Sequence, residues 1–311
     1  MGLTPLMEYY SYADLSELIT RNLSLIPRDI DLIVAVPPAG LLAGVFISLT
    51  MNRRLIALDA FLSGCSLHEQ TFRHALVVHD CSATADAVQS IRSQVAATNF
   101  LGGSCRFTHL APLLSRGQLA PVDLHFATTG EHCQFEWQVL HHPQLGEACV
   151  DIDGVLCVDP TAAENDDGPL YREFLLHARP HLLPTQPIRH LVTSRLERWR
   201  PETEAWLAQH GVVYQKLSML NVATAAERRR LGSHAAHKAR VYAEDTGATL
   251  FIESELHQAH AIAEATGKPA LCIANQRICL RGQSSAGVAS SGLWRLPRAL
   301  ARRAKRFLQR P

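Results

Sequence analysis

The run Asp151-Ile152-Asp153-Gly154 sets two carboxylates one residue apart, directly after the apolar stretch Ala148-Cys149-Val150. As a strand, that stretch would deliver the pair to its carboxyl end, where ligands collect in open α/β sheets. Gly154 permits the tight turn that must follow. Two carboxylates so close repel unless a cation or a proton intervenes. A hard divalent cation such as Mg²⁺ suits an oxygen ligand set. An ordinary strand-end turn with solvated acids accounts for the tetrapeptide alone equally well.

Three later features narrow the choice. Leu191-Val192-Thr193-Ser194-Arg195 reads as a strand ending in hydroxyls, which can bond phosphate oxygens. Lys238 falls in a helical stretch ahead of another strand, placed to neutralise a phosphate or a nucleophile. Leu250-Phe251-Ile252-Glu253 is an apolar strand ending in an acid that can complete a metal site. Each is commonplace alone; their order behind Asp151 and Asp153 is specific. Asp159, Arg195 and Arg198 are candidates for touching a substrate, with surface salt bridges as the alternative.

The elements that must carry these residues form two alternating series. In the first, Asp14 to Leu25 has helical spacing, Asp31 to Val36 is a short buried strand, and Leu41 to Thr50 is an apolar helix. Strands follow at Arg54–Asp59 and Ala75–Val78, with a helix up to about Ala97. Pro112 to Leu145 reads as loops and short antiparallel strands. The second series has strands at 148–152, 188–192, 249–252 and 270–273, and helices at 201–210, 235–245 and 258–266. Strands alternating with helices predict mostly parallel sheets. The expected fold class is α/β, with two Rossmann-like, doubly wound parallel-sheet domains. The expected boundaries are 1–147, 148–282 and a basic tail over 283–311.

Bulk properties agree with packed domains. Of 311 residues, 47% are hydrophobic and 19% charged, which suffices for two cores. A formal net charge of +1 gives no footprint for nucleic acid. The eight cysteines form no CxxC pair, which argues against a zinc ribbon and for reduced thiols in a cytoplasmic protein. The N-terminus lacks the basic start and apolar stretch of a signal peptide, and the longest apolar region is too short to span a bilayer. The tail from Arg295 to Arg310 reads as a solvated basic segment, with membrane-surface contact as the alternative.

Residues 148 to 273 resemble the haloacid-dehalogenase hydrolase superfamily. Its DxDGxL motif is matched by Asp151, Asp153, Gly154 and Leu156, its hydroxyl motif by Thr193, its lysine by Lys238, and its last acidic motif partly by Glu253. The resemblance implies a phosphatase. Asp151 would form an aspartyl-phosphate and Asp153 would act as acid and then base. Mg²⁺ would bind Asp151, the Asp153 backbone carbonyl and Glu253. Thr193 and Lys238, with Ser194 and Arg195 nearby, would hold the phosphoryl group. The insert from Val158 to Pro187, about thirty residues, implies a small cap.

The N-terminal half resembles type I phosphoribosyltransferases. Asp31 to Gly44 matches that family's strand and pyrophosphate loop, and HALVVHDCSATADAV over 74–88 falls at its signature. The resemblance implies Asp80 on ribose hydroxyls and Ser82 and Thr84 cradling a 5-phosphate. His79 replaces the family's first acid, the loop 82–86 has no glycine, and Pro38 replaces a polar residue. A relic, a phosphoribosyl-binding module and an active transferase all remain open. The order of the two domains resembles a bacterial fusion, which implies phosphoribosyl chemistry, a phosphorylated-sugar ligand and a role in supplying ribofuranose for surface polysaccharides. A homodimer is a further expectation.

Overall fold

The computed structural model describes residues 8–64, 72–81, 83–98, 105–116, 120–130, 133–222 and 234–282. Ser82 and the basic tail lie outside the described residues. Two compact units divide between Gly130 and Cys133, and Glu8 and Tyr9 belong with the C-terminal one. The division lies upstream of the expected position at 147. Its cause is packing: Val139, Leu140 and Leu145 are buried in the same cluster as Val150 and Ile152. Among the described residues, no helix is long and apolar enough to cross a membrane.

The N-terminal unit is a five-stranded parallel sheet with strands β2 (Leu32–Ala35), β3 (Arg54–Ala57), β4 (His74–Val78), β5 (Arg106–Ser115) and β6 (Leu124–Thr129). Their spatial order is β3-β2-β4-β5-β6. Leu32, Val34, Ala75 and Val77 face Phe61 and Val95 in its core. β5 and β6 replace the expected loops and antiparallel strands, and both pair in parallel. Pro112 disguised β5. It lies past Leu110, the last residue of β5 in register with β4, so its missing N–H removes no bond from that ladder.

Two short strands, β1 (Glu8–Tyr10) and β7 (Cys133–Phe135), pair in a sheet of their own. The main sheet of the C-terminal unit has six strands: β8 (Ala148–Val150), β9 (Ile188–Leu196), β10 (Tyr214–Leu220), β11 (Leu250–Glu253), β12 (Ala270–Cys272) and β13 (Arg277–Cys279). The order is β10-β9-β8-β11-β12-β13, and only the pairing of β12 with β13 is antiparallel. Leu191, Trp206 and Leu207 pack one face, and Val192, Tyr242, Phe251 and Ile262 the other. β8 comes first in the chain of this sheet yet lies in its middle. The chain therefore leaves β8 toward β9 and later returns to its other side as β11, which makes the carboxyl end of β8 a topological switch point.

Candidate active site

Three adjacent parallel strands end in the predicted residues. Asp151 follows β8, Glu253 closes β11, and Thr193 lies near the end of β9. Gly154, at φ +73°, turns the chain away from the site, and a Cβ there would stand 2.5 Å from Ser254 Oγ. Only glycine fits that approach and that backbone.

Lys238 comes from the helix His234–Glu244 and joins two of these strand ends. Its Nζ donates to Asp151 Oδ2 at 2.6 Å, to Glu253 Oε2 at 2.7 Å and to Gln258 Oε1 at 3.0 Å. Asp151, Lys238 and Glu253 are all buried. Burial works against the ammonium, but Asp151 and Glu253 more than offset it and keep Lys238 charged. Burial pushes the Asp151 carboxyl upward, the Glu253 and Asp153 carboxylates push it further, and Lys238 pulls it back.

Asp153 pairs with Arg195. The guanidinium donates from Nη2 to Oδ1 at 2.7 Å and from Nε to both oxygens at 3.2 Å. Burial raises the Asp153 carboxyl, and Arg195 reverses this, so the group is held below the ordinary carboxylate range. Thr193 Oγ1 accepts the Arg195 backbone N–H at 3.2 Å. Alternation along β9 sends Ser194 to the opposite face, with Val192.

The site thus joins Asp151, Lys238 and Glu253 by direct contact, with Asp153 two residues past Asp151 and Thr193 on the neighbouring strand β9. Its three carboxylates face two cations, Lys238 and Arg195, which leaves an anionic oxygen-rich set that a hard cation fits. Glu253 is well occupied: Oε1 accepts from the Ser254 and Glu255 N–H groups and the Ser254 hydroxyl, and Oε2 from Lys238. Mg²⁺ would be held by Asp151 and the Asp153 carbonyl, with Glu253 best suited to act through water. Asp159 also belongs to this neighbourhood. Burial and the Asp153, Glu255 and Glu253 carboxylates push its carboxyl upward.

Other expected substrate contacts are otherwise engaged. Arg195 is fully buried on Asp153, so it serves the carboxylate and does not lie open to a ligand. Arg198 forms an ion pair with Asp167.

The N-terminal site residues are committed locally. Thr84 Oγ1 accepts the Ala87 N–H at 3.2 Å and caps the helix Ala85–Ala96, whose first turn also carries Asp86. The end of that helix is thus filled by its own cap and acid. His79 is buried, with Nε2 2.8 Å from His109 Nδ1. Burial and the His109 charge lower His79 to about 3, and burial and Arg92 lower His109 to about 4, so both imidazoles are neutral. Asp80 is half-buried just past β4, and its carbonyl accepts the Ala83 N–H at 3.2 Å.

No protein-family model matches the chain, and no curated protein matches it. Part of the chain, in its N-terminal half, is similar to solved phosphoribosyltransferases. The purine phosphoribosyltransferase of Pyrococcus horikoshii Ot3 shares 16% identity at a TM-score of 0.33, over 42% of this chain and 93% of that one. The Helicobacter pylori xanthine-guanine-hypoxanthine phosphoribosyltransferase shares 16% identity at a TM-score of 0.33, over 43% of this chain and 92% of that one. Likeness at that level assigns no activity.

Two further residues join the site. Gln258 holds Lys238 from the first turn of the helix Leu256–Thr266. Cys157 touches both members of the Arg195–Asp153 pair, at 3.3 and 3.5 Å. The position of Gln258, five residues beyond Glu253 on the next helix, was the available signal for it.

Proposed function

We propose that the C-terminal unit is a Mg²⁺-dependent phosphoric monoester hydrolase that works through an aspartyl-phosphate. One observation carries the reading: Lys238 bridges Asp151 and Glu253 at a topological switch point, with Asp153 two residues from Asp151. Asp151 attacks phosphorus, and the bond to the leaving oxygen breaks as Asp153 protonates that oxygen. Asp153 then takes a proton from the water that cleaves the intermediate. Lys238 and Thr193 hold the transferring group. Mg²⁺, when bound, offsets the charge spread over the phosphoryl oxygens.

The substrate class follows from the sequence resemblance of the N-terminal half: a phosphoribosyl or other sugar phosphate, in a cytoplasmic pathway toward ribofuranose. The N-terminal unit is inactive in transfer, because Thr84 is spent as a helix cap and His79 is turned into a neutral buried pair. Purified protein with Mg²⁺ and a panel of phosphate esters tests both statements. Wild type should release phosphate, and Asp151→Asn should lose more than about 1,000-fold, since the nucleophile is gone. Equal inactivity of the two proteins sinks the phosphatase reading. Release of pyrophosphate from phosphoribosyl pyrophosphate in the presence of an acceptor would instead establish transfer.

A further inference from the structure

We propose that Ser218, His190 and Asp245 form a second hydrolytic centre, a nucleophile, base and acid that cleave short-chain acyl esters of small hydroxylated compounds. The three come from different elements of the C-terminal unit. His190 lies on β9, Ser218 on the edge strand β10, and Asp245 just past the helix His234–Glu244. His190 Nδ1 lies 3.1 Å from Asp245 Oδ2, and His190 Nε2 lies 2.8 Å from Ser218 Oγ. All three line one cavity of about 380 Å³, a size that takes a small molecule.

The charge on Asp245 fixes where the hydrogens sit. Arg189 donates to Asp245 Oδ1 from Nε at 2.9 Å and from Nη2 at 2.8 Å, which leaves Oδ2 to His190. Burial raises the Asp245 carboxyl, but Arg189 and His190 more than offset this and hold it at about 2. Burial lowers His190, so its imidazole is neutral at neutral pH. An ionised carboxylate only accepts, so Nδ1 carries the ring hydrogen and Nε2 is bare. The Ser218 hydroxyl must then donate to Nε2, the arrangement that activates a serine. Lys216, two residues before Ser218 on the same face of β10, has its Nζ 4.0 Å from Asp245 Oδ2 and brings positive charge to a developing oxyanion. The register of β10 on β9 shifts between Ser218 and Leu220, an irregularity that re-aims strand side chains beside active sites.

His237 sets the substrate class. It lines the same cavity, and its buried Nε2 has no hydrogen-bond partner among the described residues. Burial lowers it to about 4, so this ring is neutral too, and it also bonds the Thr193 backbone. With its hydrogen given to that backbone, Nε2 is an acceptor in want of a donor, which a substrate hydroxyl supplies.

Ser218 Oγ bonds to the ester carbonyl carbon while its proton passes to His190 Nε2. That proton goes to the departing alcohol oxygen as the C–O bond breaks, which leaves the acyl group on Ser218. Water then attacks the acyl carbon and gives a proton to His190, and the proton returns to Oγ as the acid leaves. The net reaction consumes ester and water and yields acid and alcohol.

Wild type, Ser218→Ala and His237→Phe are treated with diisopropyl fluorophosphate and assayed on glycerol 1-acetate and p-nitrophenyl acetate, with folding followed by thermal melting. One phosphoryl adduct should form on wild type, with loss of fluoride, and map to Ser218 by mass spectrometry. Ser218→Ala should lose the adduct and the hydrolysis of both esters. His237→Phe should raise KM about fivefold on the glycerol ester and leave it unchanged on the nitrophenyl ester. Both esters should be cleaved equally well in a chelator, which separates this centre from the Mg²⁺-dependent one. No adduct, an adduct elsewhere, a requirement for Mg²⁺, or wild-type hydrolysis by folded Ser218→Ala overturns the proposal. Equal KM changes on the two esters overturn the substrate class. Mapping of the wild-type adduct decides the question without any variant if Ser218→Ala fails to fold.

Discussion

Lys238 Nζ stands 2.6 Å from Asp151 Oδ2, and both groups are buried. The same ammonium serves Glu253, so one cation balances two carboxylates that water does not reach.

Removing that cation should be costly. Lys238→Met leaves two buried anions uncompensated, and breaking such a pair typically costs about 3–5 kcal/mol. Adding Glu253→Gln removes one of them and should restore part of the loss. Urea unfolding of both single variants and the double variant measures the coupling; strictly additive losses would mean the contact carries no energy.

Metal should be visible in stability as well as in turnover. A cation that binds only the folded chain raises stability by about 2.7 kcal/mol at 100 times its Kd. Mg²⁺ should raise the Tm of wild type, Asp151→Ala should blunt that rise, and a chelator should remove phosphatase activity. A Tm indifferent to Mg²⁺ in wild type counts against the proposed oxygen site.

Gly154→Ala meets two obstacles at once: φ is +73°, and its Cβ would press on Ser254 at 2.5–2.6 Å. The turn should shift, with a loss of about 1–3 kcal/mol and a Tm lower by several degrees. Ser254→Gly alongside it should relieve the collision but not the backbone strain, so only part of the Tm should return.

The His79–His109 pair predicts acid sensitivity of the N-terminal unit. The folded values, about 3 and about 4, lie below the ordinary value of 6.5. Below that value the unfolded chain binds protons that the folded chain refuses, so stability falls with pH until the folded values are reached. Each histidine contributes at most about 1.4 kcal/mol per pH unit inside that window. Above it the contribution is complete and flat. Replacing both residues with glutamine should flatten the melting temperature between pH 6.5 and 4 relative to wild type, checked by calorimetry.

What the sequence disclosed follows from locality. Asp151 and Asp153 share one strand end, and Thr193, Lys238 and Glu253 each sit at the close of an apolar or helical stretch, so periodicity placed them. Arg195 was legible as a strand-end residue but not as the partner of Asp153, because that contact spans 42 positions and depends on β9 lying beside β8. β10 escaped notice because Gln215 and Lys216 are exposed on an edge strand, which erases the apolar run that signals a buried one. The helix Pro169–His177 was absorbed into the presumed cap for want of a sharp start: Gly168 precedes it and makes no side-chain cap.

The C-terminal unit is not one continuous length of chain. The Tyr9 hydroxyl donates to Gln276 Oε1 at 2.9 Å, and Tyr9 packs beside the same core as Leu145 and Val150, while residues 10–131 form the other unit. In connectivity, the N-terminal unit is spliced into the C-terminal one. A fragment cut at residue 148 would forfeit Val139, Leu140 and Leu145, and one cut at residue 132 would still lose the Tyr9 clasp. Excising the C-terminal unit intact calls for a rejoined chain, with residues 8–9 linked across a short bridge to residue 133.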